Sequence, residues 1–153
     1  MTRTPSAWMV LKFGGTSVSS LANWTNIARV VAERESGGAR VLIVHSALAG
    51  VTDRLGRLLD AAIAEAPEEE LRAIEERHRR LAAELGVPFP QEVERQLAEL
   101  REIAAGVCLV REVSERTRAR VMAAGELLLT PLATHYLASR GLRVQAVGHA
   151  RKR

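Results

Sequence analysis

The apolar positions of the chain fall into short blocks and longer periodic stretches. Trp8 to Phe13 (WMVLKF) is short, apolar and closed by Gly14-Gly15, a pattern that predicts a buried strand. Apolar residues then recur at Leu21, Trp24, Ile27, Ala28 and Val31, the spacing of one helix face. Ser20 is placed to cap that helix, and Gly37-Gly38 to end it. Arg40 to Ser46 (RVLIVHS) predicts a second buried strand. After the small-residue loop Ala47-Leu48-Ala49-Gly50, a helix opening at Thr52 or Asp53 carries Leu55, Leu58, Leu59 and Ile63 and runs to Pro67. Strand, helix, strand, helix at this spacing predicts an α/β fold with a parallel sheet.

The middle of the chain changes period. Glu68 to Leu85 has an apolar stripe at Leu71, Ile74, Leu81 and Leu85, with His78 on or beside it as a partly covered helix histidine. Gly86-Val87-Pro88-Phe89-Pro90 breaks the stripe, and a second helix runs from Gln91 to about Val113. Residues 68–113 thus predict a helical hairpin insert. Thr117 to Arg140 is mostly helical in pattern, with interruptions expected at Gly125 and Pro131. Gly141 ends it, and Leu142 to Val147 alternates like a strand.

Composition narrows the class. The 153 residues are 47% hydrophobic and 26% charged, an ordinary globular balance for a single core. One cysteine, Cys108, excludes an intrachain disulfide and a cysteine-cluster metal site, and no metal site is expected. No apolar run approaches the roughly 20 residues of a membrane helix, and the polar start shows no signal peptide. A cytoplasmic protein with no membrane partner is expected.

The net charge of +4 owes three units to Arg151, Lys152 and Arg153. Elsewhere arginines alternate with glutamates, and Glu68–Arg72, Glu75–Arg79 and Glu76–Arg80 have the favourable i,i+4 order of a solvated helix face. With aromatics at 3% and no unbroken basic stripe, a nucleic-acid partner is not expected.

The clearest candidate chemistry is Lys12-Phe13-Gly14-Gly15-Thr16-Ser17. Glycines after a strand can turn backbone N–H groups inward as a nest for phosphate oxygens. Thr16 and Ser17 add hydroxyls, and Lys12 can place a compact charge on a phosphoryl group. Of 22 basic residues 20 are arginine, and Lys12 is the only lysine before the C-terminal tail, which sharpens that reading. The plainer alternative, which the lone lysine and the two hydroxyls weigh against, is a strand end with a Gly-Gly turn and a lysine that reaches solvent. It is neither a Walker loop nor the dinucleotide fingerprint.

The second candidate is the end of the second strand, where Ser46 and Thr52 offer hydroxyls beside small residues on the ligand-binding edge of an open sheet. A capped helix start explains Thr52 as well. The third is Glu126, a carboxylate in the apolar stretch VMAAGELLLTPLA. It needs a partner, and a substrate ammonium or an arginine would serve equally.

These segments carry a resemblance. KFGGTSV at Lys12–Val18, Ser46-Ala47-x-Ala49-Gly50-Val51-Thr52-Asp53, and Gly125-Glu126-Leu127-Leu128 resemble aspartate kinase, in that family's order and across essentially the whole chain. The resemblance implies a three-layer αβα sandwich of the amino-acid kinase type with a mainly parallel sheet. It implies ATP-dependent phosphorylation of the β-carboxylate of L-aspartate, the first step toward lysine, threonine and methionine, with ATP and Mg2+ entering as a substrate complex. Carried over, Lys12 and Gly14, Gly15, Thr16 and Ser17 would hold the transferring phosphoryl group. Ser46, Thr52 and Glu126 would bind aspartate, Glu126 at its ammonium.

The stretch WMVLKFGGTSVSSLANWTNIARVV also resembles forms fused to diaminopimelate decarboxylase. The family pattern implies that residues 1–153 are the N-terminal portion of a longer kinase domain, inactive alone. The rest of that domain and its regulatory domains would lie beyond, in a homo-oligomer. Departures from the pattern are His45 in place of a small apolar residue, Leu129 in place of a serine, Pro131, and His149-Ala150-Arg151-Lys152. The alternative readings are a non-catalytic remnant or interaction module that keeps the fold, and a kinase of another small carboxylate.

Overall fold

The computed structural model describes residues 7–147. β1 (Trp8–Phe13) and β2 (Arg40–His45) pair in parallel, with Trp8 opposite Arg40 and Phe13 opposite His45. The crossover between them is α1 (Leu21–Ser36), which turns Trp24, Ile27, Ala28 and Val31 inward. Ser20 caps it, its Oγ accepting from the Asn23 N–H. Then follow α2 (Val51–Ile63), α3 (Glu68–Leu85), α4 (Gln91–Val110) and α5 (Glu115–Ser139). Their buried residues form one core with those of α1, so α3 and α4 share the interior of the sheet-bearing unit. Two strands in parallel with helices joining and covering them are the expected α/β arrangement.

The strands are not buried on both faces, as their apolar runs had suggested. Leu11, Phe13, Val41 and Ile43 pack against the helical core, whereas the alternate positions are open. Trp8 is 60% exposed, Val10 59% and Val44 42%. An apolar run buries both faces only when a layer covers each, and the described residues supply helices to one. On the open face the Arg40 guanidinium lies 4.2 Å from the Trp8 ring centroid, across the register pair.

Four further expectations are corrected. α2 opens at Val51, not at a Thr52 or Asp53 cap: Gly50, at φ +80°, turns the chain without a side-chain cap, and fully buried Val51 anchors the first turn. α5 runs unbroken through Gly125 and Pro131. Pro131 removes the helical donor for the Leu127 carbonyl, a cost of about 3 kcal/mol in an isolated helix. The stripe Val121, Ala124, Leu128, Leu132 and Tyr136, buried on both sides of the proline, offsets it. Leu142 to Val147 alternates as expected but forms no strand. Leu142 and Val144 pack on the core without a strand beside them among the described residues. α4 also stops earlier than expected, at Val110, where Arg111 takes φ +53°.

The charged face of α3 is less solvated than its i,i+4 pattern implied. Glu75–Arg79 forms at 2.8 Å, but Glu68–Arg72 and Glu76–Arg80 are not among the ion pairs of the described residues. The charges bridge helices instead. Arg79 reaches Glu94 on α4 at 2.7 Å, and Arg54 and Arg57 on α2 hold Glu70 at 3.0 and 2.8 Å. Arg101 and Arg120 pair with Glu75 and Glu99. No helix is long and apolar enough to cross a membrane.

Candidate active site

Parallel pairing places the loops that leave β1 and β2 side by side. The Ser46 N–H donates to the Phe13 carbonyl at 3.0 Å, extending the ladder one step past the strands. Beyond Gly14-Gly15 the chain makes a single 3-10 turn, Thr16–Val18. Side chains of α1 fix that turn. The buried Trp24 Nε1–H donates to the Val18 carbonyl at 2.8 Å, and Asn23 Nδ2 donates to the Thr16 carbonyl at 2.9 Å. Thr16 and Ser17 remain exposed, as does Lys12 on the open face of the sheet opposite Val44.

Two glycines let the second loop nest between its neighbours. A Cβ on Gly15 would lie 2.9 Å from the Ala47 carbonyl oxygen, and a Cβ on Gly125 2.6 Å from the Ala47 Cβ. Ala47 is therefore held between the glycine loop and α5, with no room for a side chain at either contact. On the α5 side Glu126 Oε1 accepts from the Ala47 N–H at 3.3 Å. Ser19 joins the loops from below: its hydroxyl donates to the Gly15 carbonyl at 2.6 Å and accepts from the Ala49 N–H at 2.9 Å.

Gly14, Gly15, Thr16, Ser17, Ser46 and Glu126, distant in sequence, are thus gathered around one loop at the carboxyl ends of the strands. Thr52 stands apart, exposed in the first turn of α2 with no side-chain hydrogen bond to the others. Among the described residues Glu126 pairs with no arginine; its protein partner is a backbone amide. Sequence reasoning missed Ser19, which sits in a Ser-Ser pair where only Ser20 carries a cap signal.

His45 and Thr130 add a second tie. His45 Nε2 is 3.2 Å from Thr130 Oγ1, and that hydroxyl donates to the Glu126 carbonyl at 2.8 Å. His45 thus braces the end of β2 against the turn of α5 that carries Glu126. Leu129 is fully buried in the core, so the hydroxyl expected soon after Gly-Glu is replaced by packing. The segment His149-Ala150-Arg151-Lys152 lies outside the described residues.

His78 is not partly covered but completely buried. Its Nδ1–H donates to the Ile74 carbonyl at 2.8 Å, and Nε2 has no partner among the described residues. Burial pushes its pKa down to about 4, so the ring is neutral.

A groove of about 820 Å3 between α4 and α5 has Glu126, Arg120, Glu99 and Arg95 in its wall, and a groove of about 860 Å3 runs between α3 and α4. Neither is lined by Lys12, Gly14–Ser17 or Ser46. No cluster of three or more His, Cys, Asp or Glu side chains able to hold a metal ion occurs among the described residues.

Residues 7–152 match the model of the amino acid kinase family. Aspartokinase 2, chloroplastic, of Arabidopsis thaliana is 32% identical over 133 residues, 84% of this chain and 24% of that protein. An aspartokinase of Chlamydia trachomatis is 34% identical over 142 residues, 89% of this chain and 29% of the relative. Among solved structures, Escherichia coli aspartokinase III in complex with aspartate and ADP superposes with a TM-score of 0.77 at 29% identity. That match covers 92% of this chain and 30% of the other. The chain therefore spans about a quarter to a third of the length of these proteins.

Proposed function

The chain belongs to the amino acid kinase family, and from that premise we propose that it is the aspartate- and phosphoryl-binding portion of an aspartokinase. That enzyme would transfer the γ-phosphoryl group of ATP to the β-carboxylate of L-aspartate. The observation that carries the reading is the convergence on Ala47: Gly15 on one side, Gly125 and Glu126 on the other, with Ser46 between. Three segments that resemble aspartate kinase in sequence meet in space, and a structure bearing aspartate and ADP has the same fold.

In this reading Lys12 and the Gly14–Ser17 loop hold the transferring phosphoryl group, with Lys12 as a point charge and the loop amides and hydroxyls as fixed donors. Ser46 and Thr52 donate to the carboxylates of aspartate. Glu126 faces its ammonium with the oxygen that the Ala47 amide leaves free. Magnesium arrives with the phosphates of ATP. The only aspartates of the chain are Asp53 and Asp60, and Glu126 is committed to the substrate ammonium in this reading, so at most Asp53 is left to offer a carboxylate near the strand ends.

The chain spans about a quarter to a third of the length of its relatives, and the purine pocket and the remaining charge around the γ-phosphate would come from the rest of such an enzyme. The 153 residues alone are then not expected to turn over. The whole enzyme would be cytoplasmic and homo-oligomeric, although the Arabidopsis relative is chloroplastic.

Titration calorimetry of the chain with L-aspartate tests the substrate assignment. Binding is expected, and Glu126→Gln should weaken it by about tenfold or more, the worth of a charge-assisted hydrogen bond. Absence of binding, or equal affinity in parent and variant, would remove Glu126 and aspartate from the account.

A further inference from the structure

We infer that Ser19 is a positioning residue of the phosphate loop, which aims the Thr16 amide and locks that loop to the one carrying Ser46. The inference rests on the phosphate-loop reading above. The hydroxyl both donates and accepts. Its one proton goes to the Gly15 carbonyl at 2.6 Å, and a lone pair receives the Ala49 N–H at 2.9 Å. Ser19 is itself held from a third element, because its carbonyl accepts from Arg77 Nη2 of α3 at 3.0 Å.

Peptide planarity turns these contacts into a direction. A trans peptide places its N–H opposite its C=O. Fixing the Gly15 carbonyl toward Ser19 therefore fixes the Thr16 N–H to point away from it. Asn23 does the same one residue on, holding the Thr16 carbonyl at 2.9 Å and so directing the Ser17 N–H. Among the described residues neither the Thr16 nor the Ser17 N–H meets a protein acceptor, and both residues are exposed. Two preset and unused donors side by side suit the oxygens of a phosphate chain. Without the Ser19 hydroxyl, the Gly15 carbonyl keeps only the Val18 N–H at 3.4 Å, and the Ala49 amide loses its acceptor. The hydrogen-bonded tie between the glycine loop and the Ser46 loop through that hydroxyl would then be lost.

The experiment is a titration of the isotope-labelled 153-residue chain with inorganic tripolyphosphate, followed by the amide signals of Thr16 and Ser17. The parent chain is expected to show saturable shifts at both. Ser19→Ala should raise the dissociation constant about tenfold or more, and Ser19→Thr, which keeps the hydroxyl, should restore it to within about threefold. Asn23→Ala, at a helix position that tolerates alanine, should weaken binding with the change concentrated at Ser17. It keeps the test open if Ser19→Ala does not fold. A parent that shows no shift at residues 14–17 overturns the phosphate-loop reading and this inference with it. A parent that binds, with Ser19→Ala and Asn23→Ala binding within twofold of it, overturns this inference alone. So does a lowered melting temperature with an unchanged dissociation constant, because that marks Ser19 as merely structural.

Discussion

Replacing Gly125 by alanine should do the opposite of what helix propensity dictates. In an exposed helix interior that change stabilises by about 1 kcal/mol. At Gly125 the new Cβ would stand 2.6 Å from the Ala47 Cβ and 3.4 Å from Leu55 Cδ1. Apolar carbons rest at about 3.5–4.0 Å, so α5 and the 46–50 loop must separate by about 1 Å. Ala47 has little room to retreat, because Gly15 closes on its carbonyl from the far side. Overpacking of this kind costs about 1–3 kcal/mol. Gly106, inside α4, is the matched control: nothing lies within 4 Å of the Cβ it would gain. Gly106→Ala should therefore stabilise, and the two variants should differ by about 1–3 kcal/mol in denaturant unfolding. Each kcal/mol appears as roughly 2–4 °C of melting temperature in a chain of this size. Equal stabilisation by both would refute the claim that Gly125 is required by close approach.

Burial of His78 makes stability depend on pH. Its folded pKa lies near 4 against 6.5 unfolded, so the unfolded chain binds the extra proton and stability falls as pH drops through that window. The loss should reach about 3 kcal/mol at most, and urea midpoints at pH 7 and 4.5 should converge in His78→Leu; an unchanged slope would point to another group. An aspartyl-hydroxamate assay on the 153 residues with ATP and magnesium should give no turnover, and a rate abolished by Lys12→Ala would show the nucleotide site to be present after all. In the complete enzyme Lys12→Arg should lower kcat by about 10²-fold, since a planar guanidinium cannot replace a compact ammonium among phosphate oxygens; a rate within about threefold of the parent, some 0.7 kcal/mol of barrier, would reject the assignment.

How far the sequence could be read follows from the range of the forces involved. β1, α1, α3 and the Ser20 cap are legible because period and capping are local signals. Gly125 and Pro131 misled because their local meaning, a break, is overridden by burial of the stripe from Val121 to Tyr136. The end of the chain misled for the converse reason: Leu142–Val147 has the alternation of a strand, but a strand also needs a paired neighbour. At the site, the glycine loop and Glu126 were recognisable by residue type. Their meeting at Ala47, the joining role of Ser19 and the reach of Arg77 depend on contacts spanning 30 to 79 positions, which no local pattern encodes. His78 looked ordinary because its depth depends on which helices pack over it.

The register of the sheet also bears on the order in which the molecule assembles. Trp8 and Arg40 meet across 32 intervening steps of chain, and β1 and β2 have only each other among the described residues. A parallel pair cannot form as a local hairpin; α1 must first fold and close the loop, and the entropy of closure is spent before any ladder bond forms. The glycine loop and the Ser46 loop begin where that ladder ends. They should therefore acquire their shape late, after the α2–α5 core, whose short connections favour early packing. Local opening in the native protein should follow the reverse path, with the Phe13–Ser46 bond among the first released and the interior of α5 among the last.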